Sequence, residues 1–128
     1  MSSPPDTARA LFVADDDDDV AATVSRLFER RGWTVHRART GSEAVAIART
    51  SGPIDAAVVD LVLPGVGGLE VVRELRERHP RCRIVAMTGM AEAAMIAAFL
   101  HAGADAFVGK PFDIAALVAA VENPPDPA

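Results

Sequence analysis

Five short apolar runs alternating with five amphipathic segments predict an α/β domain, a parallel sheet with helices on both faces. Three observations carry this. The alternation runs unbroken from about residue 10 to residue 121, with no linker-like composition and no internal repeat. One run, Ala56-Ala57-Val58-Val59, is apolar at every position, as a strand covered on both faces requires. The chain has 128 residues, 50% of them hydrophobic and 24% charged, which suits a single globular domain with a real core.

The elements follow in order. Residues 10–14 read as a short apolar strand. From Asp19 to Arg31 the apolar positions Val20, Val24, Leu27 and Phe28 fall at helical spacing, and Gly32 is a C-terminal stop. Residues 33–38 alternate like a second strand. A helix is expected from Ser42, a candidate N-cap, to Thr50, with Gly52-Pro53 ending it. The buried strand 56–59 follows, then a loop over 63–68, in which Gly67-Gly68 reads as a tight turn. A third helix is expected over 69–78, with Pro80 after it. Residues 83–87 read as the fourth strand, 91–101 as an Ala-rich helix stopped by Gly103, 106–108 as the fifth strand and 113–121 as the last helix. The domain is therefore placed at residues 10–122. Residues 1–9 read as a flexible tail, and the Pro-rich residues 123–128 as a tail or the start of a linker.

Composition excludes several classes. A net charge of −5 argues against a general nucleic-acid or anionic-membrane surface, which needs clustered Lys and Arg. The single cysteine, Cys82, leaves no internal disulfide and reads as a small hydrophobe at a strand start. No apolar stretch reaches the length of a membrane span, and the first six residues lack the basic start and apolar core of a signal peptide. A cytoplasmic location is expected. His36, His79 and His101 have no ligand spacing and read as surface or interface residues. Of the 13 basic residues, Lys110 alone is lysine. Arg is a wide planar fork and Lys a slim point charge, so a lone Lys can mark a place where Arg does not fit.

In open parallel sheets the functional site lies at the carboxyl ends of the strands. Asp15 and Asp16 follow strand one, Asp60 follows strand three, Thr88 strand four and Lys110 strand five. Three convergent carboxylates attract a hard cation, and Mg²⁺ takes one or two carboxylates plus other oxygens. A carboxylate can also act as a nucleophile towards phosphorus. A transferring phosphoryl group then needs a metal, an ammonium and a hydrogen-bond donor around it. Asp17 and Asp18 read as solvated charge, and Asp19 as the carboxylate that caps the first helix.

The runs Ala14-Asp15-Asp16, Val59-Asp60-Leu61-Val62-Leu63-Pro64-Gly65, Met87-Thr88-Gly89 and Gly109-Lys110-Pro111-Phe112, in this order at these strand ends, resemble the receiver domain of two-component response regulators. The resemblance covers residues 10–122. It implies a flavodoxin-like five-stranded sheet of order 2-1-3-4-5 and a phosphoprotein of phosphorelay signalling. Asp60 matches the phosphoacceptor. Asp16, Asp60 and the backbone carbonyl of Val62 match Mg²⁺ ligands, and Asp15 matches a metal site reached mainly through water. Thr88 matches the switch hydroxyl, Phe107 the switch aromatic, and Lys110 the phosphate-pairing lysine, with a cis bond to Pro111. The implied partners are a sensor histidine kinase or a histidine phosphotransfer protein, and a downstream protein or effector domain. Beyond self-catalysed phosphoryl transfer and autodephosphorylation, no enzymatic activity is implied. The face of the fourth helix, fifth strand and fifth helix, with Ala93, Ala94, Ala97 and Ala98, is the family's usual output surface and a candidate homodimer contact.

Two departures matter. Val62 and Met90 are apolar where receivers often carry polar groups that flank the path of the hydrolytic water, so a long-lived phosphoryl group is expected. Gly89 stands where Ala is more usual, which leaves room but loosens the loop. Three other readings compete. Asp16-x-Asp18-x-Val20 also resembles the opening motif of haloacid-dehalogenase-like phosphatases, although no acidic pair follows strand four. A flavin-binding module would place a Ser/Thr/Gly-rich loop where the aspartates stand. An unphosphorylated receiver-like docking module would not use the matched site residues.

Overall fold

The computed structural model describes residues 9–65, 67–89 and 93–122. Residues 1–8 and 123–128 of the expected tails, and the expected start of the fourth helix at Ala91, lie outside the described residues, whereas Arg9, expected in the N-terminal tail, joins the domain, its carbonyl accepting the Thr34 N–H at 2.8 Å. Ten elements alternate: β1 (Ala10–Ala14), α1 (Asp18–Glu29), β2 (Thr34–Ala38), α2 (Gly41–Thr50), β3 (Ala56–Asp60), α3 (Gly68–Arg78), β4 (Arg83–Thr88), α4 (Ala93–Ala102), β5 (Ala106–Gly109) and α5 (Ile114–Glu122). The five strands form one parallel sheet in the order β2-β1-β3-β4-β5.

Alternation along each strand divides the core in two. Phe12, Ala14, Ala57, Val59, Ile84 and Ala86 point to the side covered by α2, α3 and Phe99 of α4. Leu11, Val13, Val58, Val85, Met87 and Val108 point to the other side, against α1 and against Leu117 and Val121 of α5. Every residue of β3 is buried, as its unbroken apolar sequence requires. Each large side chain fully removed from water, Phe12 and Phe28 among them, contributes about 1.5–3 kcal/mol. β2 lies at the sheet edge and exposes Thr34, His36 and Arg37.

The helix starts differ from expectation by a residue or two, for local reasons. Asp17, not Asp19, caps α1: its Oδ1 accepts the N–H groups of Asp19 (3.0 Å) and Val20 (3.2 Å). Thr40, not Ser42, caps α2, its Oγ1 accepting the Glu43 N–H at 3.1 Å. In both cases the residue with extended φ and ψ, which an N-cap must have, lies upstream of the one chosen by side-chain type. α1 ends at Glu29, short of the expected Arg31, and Gly32 follows at φ +94°. His79 is not a plain surface residue. Its Nε2 sits 2.9 Å from the carbonyl of Ala48, tying the end of α3 to the last turn of α2.

The end of α5 is also tied down. Glu122 accepts Arg31 Nη2 (2.6 Å) and Nε (2.8 Å), and the Trp33 indole N–H at 2.8 Å. Arg9 lies 4.2 Å over the Trp33 ring. The Arg31 hydrogen bonds, against a smaller opposing effect of burial and with the Trp33 N–H adding to them, hold the Glu122 carboxyl down to about 2.

Candidate functional site

The parallel register sets the site. Asp60 ends β3 opposite Met87, and Thr88 ends β4 opposite Gly109, so Asp60, Thr88 and Lys110 arrive on one rim. The Lys110 N–H donates to the Thr88 carbonyl at 2.8 Å, which carries the β4–β5 pairing one residue past the strand. The Lys110–Pro111 peptide is cis, as expected. Asp15 N–H donates to Ala38 O at 3.0 Å, which fixes the start of the acidic run beside the end of β2.

Asp15, Asp16 and Asp60 each offer a carboxylate oxygen within 4.8 Å of the others. Asp15 is fully buried and Asp60 is 7% exposed, while Asp16 faces solvent. Asp60 is held at both oxygens: Oδ1 accepts the Val62 N–H at 3.0 Å and Oδ2 accepts Lys110 Nζ at 2.8 Å. Asp15 Oδ1 accepts the Asp17 N–H at 2.9 Å. Lys110 Nζ also lies 2.9 Å from Asp15 Oδ2. That contact is an ion pair, and apart from it Asp15 Oδ2 meets no hydrogen-bond donor among the described residues.

Burial pushes the Asp15 carboxyl up from its ordinary value, and the nearby Asp60 charge adds to this; the Asp17 N–H and Lys110 offset part of it. For Lys110, burial works downward, but its contacts with Asp60 and Asp15 outweigh it and raise the pKa overall. One ammonium therefore faces three carboxylates. The excess negative charge, the oxygen-only donor set and the buried Asp15 Oδ2, whose one charged neighbour Lys110 is shared with Asp60, all fit a hard divalent cation.

Around this centre, Thr88 is buried at 5% exposure. Val62 carries a 64% exposed side chain on the lip of the site, and Met90 lies outside the described residues. A Cβ at Gly89 would meet nothing within 4 Å among the described residues. Phe107 is half-buried, its ring 6.5 Å from that of Phe99 in an edge-on contact. An open cleft of 480 Å³ lined by Asp16, Arg39, Thr40, Glu43 and Pro64 adjoins the carboxylates. A larger one of 610 Å³ lies at the amino ends of β3 and β4, away from them. Cys82, at that far end, is buried, and burial pushes its thiol up to about 12, which suits an inert packing role.

Of the acidic run, Asp15 and Asp16 join the cluster and Asp18 pairs with Arg39 at 3.1 Å in solvent. Asp17, expected only to face water, links the cluster to α1. Gly68 is not the tight-turn glycine expected. Its φ is ordinary, and the constraint is contact: a Cβ there would lie 2.7 Å from the Asp60 carbonyl oxygen and 2.9 Å from Leu61 Cα. Gly68 lets α3 start directly against the strand end that carries Asp60. The signal was in the sequence as a glycine at a predicted helix start, but only the packing tells close approach from a turn.

Comparison with known proteins agrees with this geometry. The family model described as response regulator receiver domain matches residues 11–122. The photosynthetic apparatus regulatory protein RegA of Cereibacter sphaeroides is 39% identical over 123 residues, which are 93% of this chain and 66% of that protein. The transcriptional regulatory protein FixJ of Azorhizobium caulinodans is 35% identical, over 87% of this chain and 52% of its own length. The chain thus spans about two thirds or less of these relatives. Among solved structures, a response regulator from Burkholderia pseudomallei with a phosphorylated aspartic acid, calcium ion and citrate superposes with a TM-score of 0.83 at 31% identity, covering 90% of this chain and 67% of that one. A CheY-like receiver domain from Methanospirillum hungatei gives a TM-score of 0.82 at 26% identity, covering 88% and 89%.

Proposed function

Because the chain belongs to the response regulator receiver domain family, we propose that Asp60 is its phosphoacceptor, taking a phosphoryl group from a histidine of a sensor kinase or phosphotransfer protein. The observation that carries this is the setting of the Asp60 carboxylate, held between the Val62 N–H and Lys110 Nζ with Asp15 and Asp16 beside it. An oxygen of Asp60 attacks phosphorus, the phosphorus–nitrogen bond to the donor imidazole breaks, and its electron pair stays on the imidazole. Lys110 then balances the charge on the phosphoryl oxygens, and the Thr88 hydroxyl donates to one of them. The cation is read as Mg²⁺, held by Asp16, Asp60 and the Val62 carbonyl with Asp15 behind water; when bound it supplies positive charge to the phosphoryl oxygens.

Thr88 and Phe107 form the two-state element, and the signal is a shift in its population. The α4–β5–α5 face is the output surface, offered to a downstream protein, an effector domain or a second copy. Residues 1–8 and 123–128 are read as tail and linker, and the protein as cytoplasmic. Incubation with a small acyl phosphate and Mg²⁺ should label the protein, and Asp60→Asn should abolish the label while leaving the fold intact. Label that survives in Asp60→Asn would favour a nucleophile in the acidic run, as in the phosphatase-like reading of Asp16.

A further inference from the structure

One guanidinium at the far end of the sheet makes every bond it can. Arg76, near the end of α3, donates through Nε (3.2 Å) and Nη2 (2.7 Å) to the Gly103 carbonyl, through Nη1 to the carbonyls of Pro80 (2.8 Å) and Cys82 (2.9 Å), and through Nη2 to Asp105 Oδ2 (2.8 Å). An arginine has five N–H donors, and all are engaged. Asp105 Oδ2 also accepts the Ile84 N–H at 2.8 Å, so the same carboxylate reaches the start of β4. Gly103 has φ +127°, and a Cβ there would lie 2.8 Å from Arg76 Cγ, so the corner is shaped around this side chain.

That corner, residues 103–105, is the segment joining two aromatic rings that touch. Phe99 lies four residues before Gly103 and Phe107 two residues after Asp105. Phe99 is the one buried side chain of α4 among the described residues, and it meets Phe107 edge-on. A rotation of Phe107 can move α4 through Phe99 only if the corner between them does not give way. We infer that Arg76 is a positioning residue for signalling, holding the α4–β5 corner rigid so that motion of Phe107 passes to α4 through Phe99. This rests on reading Asp60 as the phosphoacceptor and Phe107 as the switch ring.

The test is an amide NMR titration of the full chain with beryllofluoride and Mg²⁺, comparing wild type, Arg76→Met and Arg76→Lys. In wild type, shifts should appear both around Asp60 and along α4. In Arg76→Met, beryllofluoride should bind with a Kd within about threefold of wild type, because Arg76 does not touch the site, while the α4 shifts fall to less than half. Arg76→Lys, which keeps the charge and some of the donors, should lie between. A merely structural role would lower thermal stability and leave the split between binding and α4 response unchanged, so α4 shifts of wild-type size in Arg76→Met overturn the inference. Should Arg76→Met not fold, Arg76→Lys decides alone: a full α4 response there overturns it and a reduced response at unchanged Kd supports it. A wild-type protein that shows no Mg²⁺-dependent response fails the phosphoacceptor reading itself, before any Arg76 variant is measured, and the inference falls with it.

Discussion

Gly68→Ala adds one methyl to the molecule, and two effects of opposite sign compete over it. Helix propensity favours the change, since Ala is better than Gly by up to about 1 kcal/mol inside a helix and by less at a first helical position. Packing opposes it. The new Cβ would sit 2.7 Å from the Asp60 carbonyl oxygen and 2.9 Å from both Leu61 Cα and Leu61 O, which is about 0.7 Å inside ordinary contact. All three atoms are backbone of the strand end and its continuation, so no side chain can swing aside. Over-packing of this kind costs about 1–3 kcal/mol, and the balance is a loss of about 1–2 kcal/mol, or roughly 3–8 °C in Tm. Relief of the clash moves the Asp60 backbone relative to Lys110, whose contact is 2.8 Å, so phosphorylation should slow several-fold. Urea unfolding and a labelling time course measure the two effects. The adjacent Gly67 is the control, because a Cβ there meets nothing within 4 Å among the described residues and it already holds the N-cap conformation. Gly67→Ser should therefore be neutral or gain a few tenths of a kcal/mol. If Gly68→Ala is as stable as wild type and is labelled at the same rate, the close-approach reasoning is wrong.

Val62 presents an exposed apolar side chain on the lip of the site and cannot orient an attacking water; the phosphoryl group should outlast seconds, Val62→Asn should shorten its life, and a wild-type half-life of seconds would refute this. Glu122 has a folded-state pKa near 2, below its ordinary 4.5, so its contribution to stability is present above pH 4.5 and drains away as pH falls from there towards 2. Glu122→Gln should therefore be less stable than wild type at neutral pH, with a gap that narrows in acid. The gap is small because Arg31 is 43% exposed and screened, and a gap that widens on acidification would contradict the assignment.

The sheet, its helices and the placement of the candidate site residues on one rim were legible because they depend on patterns the chain states directly. An unbroken apolar run such as 56–59 has few folds open to it, and an acidic or basic residue directly after a strand has one place to be. What was not legible depends on contacts between segments distant in sequence. Asp17 and Asp19 are the same residue type two positions apart, and only backbone dihedrals decide which caps α1. Gly68 reads as a turn until the Asp60 carbonyl is placed against it. Arg76 is one of twelve arginines in a chain that uses Arg for surface charge, and nothing local to it tells of the corner 27 residues downstream that it holds.

The chain of contacts through the acidic run has a consequence for how this stretch tolerates change. Asp15 accepts from the Asp17 amide, and Asp17 in turn accepts from Asp19 and Val20. The end of β1, the carboxylate cluster and the first turn of α1 are thus spaced by a fixed count of residues, as marks are on a ruler. Exchanging Asp18, which faces solvent, leaves that spacing intact. Removing or adding a single residue between Asp15 and Asp19 does not, even though the segment would still read as a run of aspartates. Besides the carboxylates of Asp15, Asp16 and Asp17, the number of residues is a property this segment cannot give up.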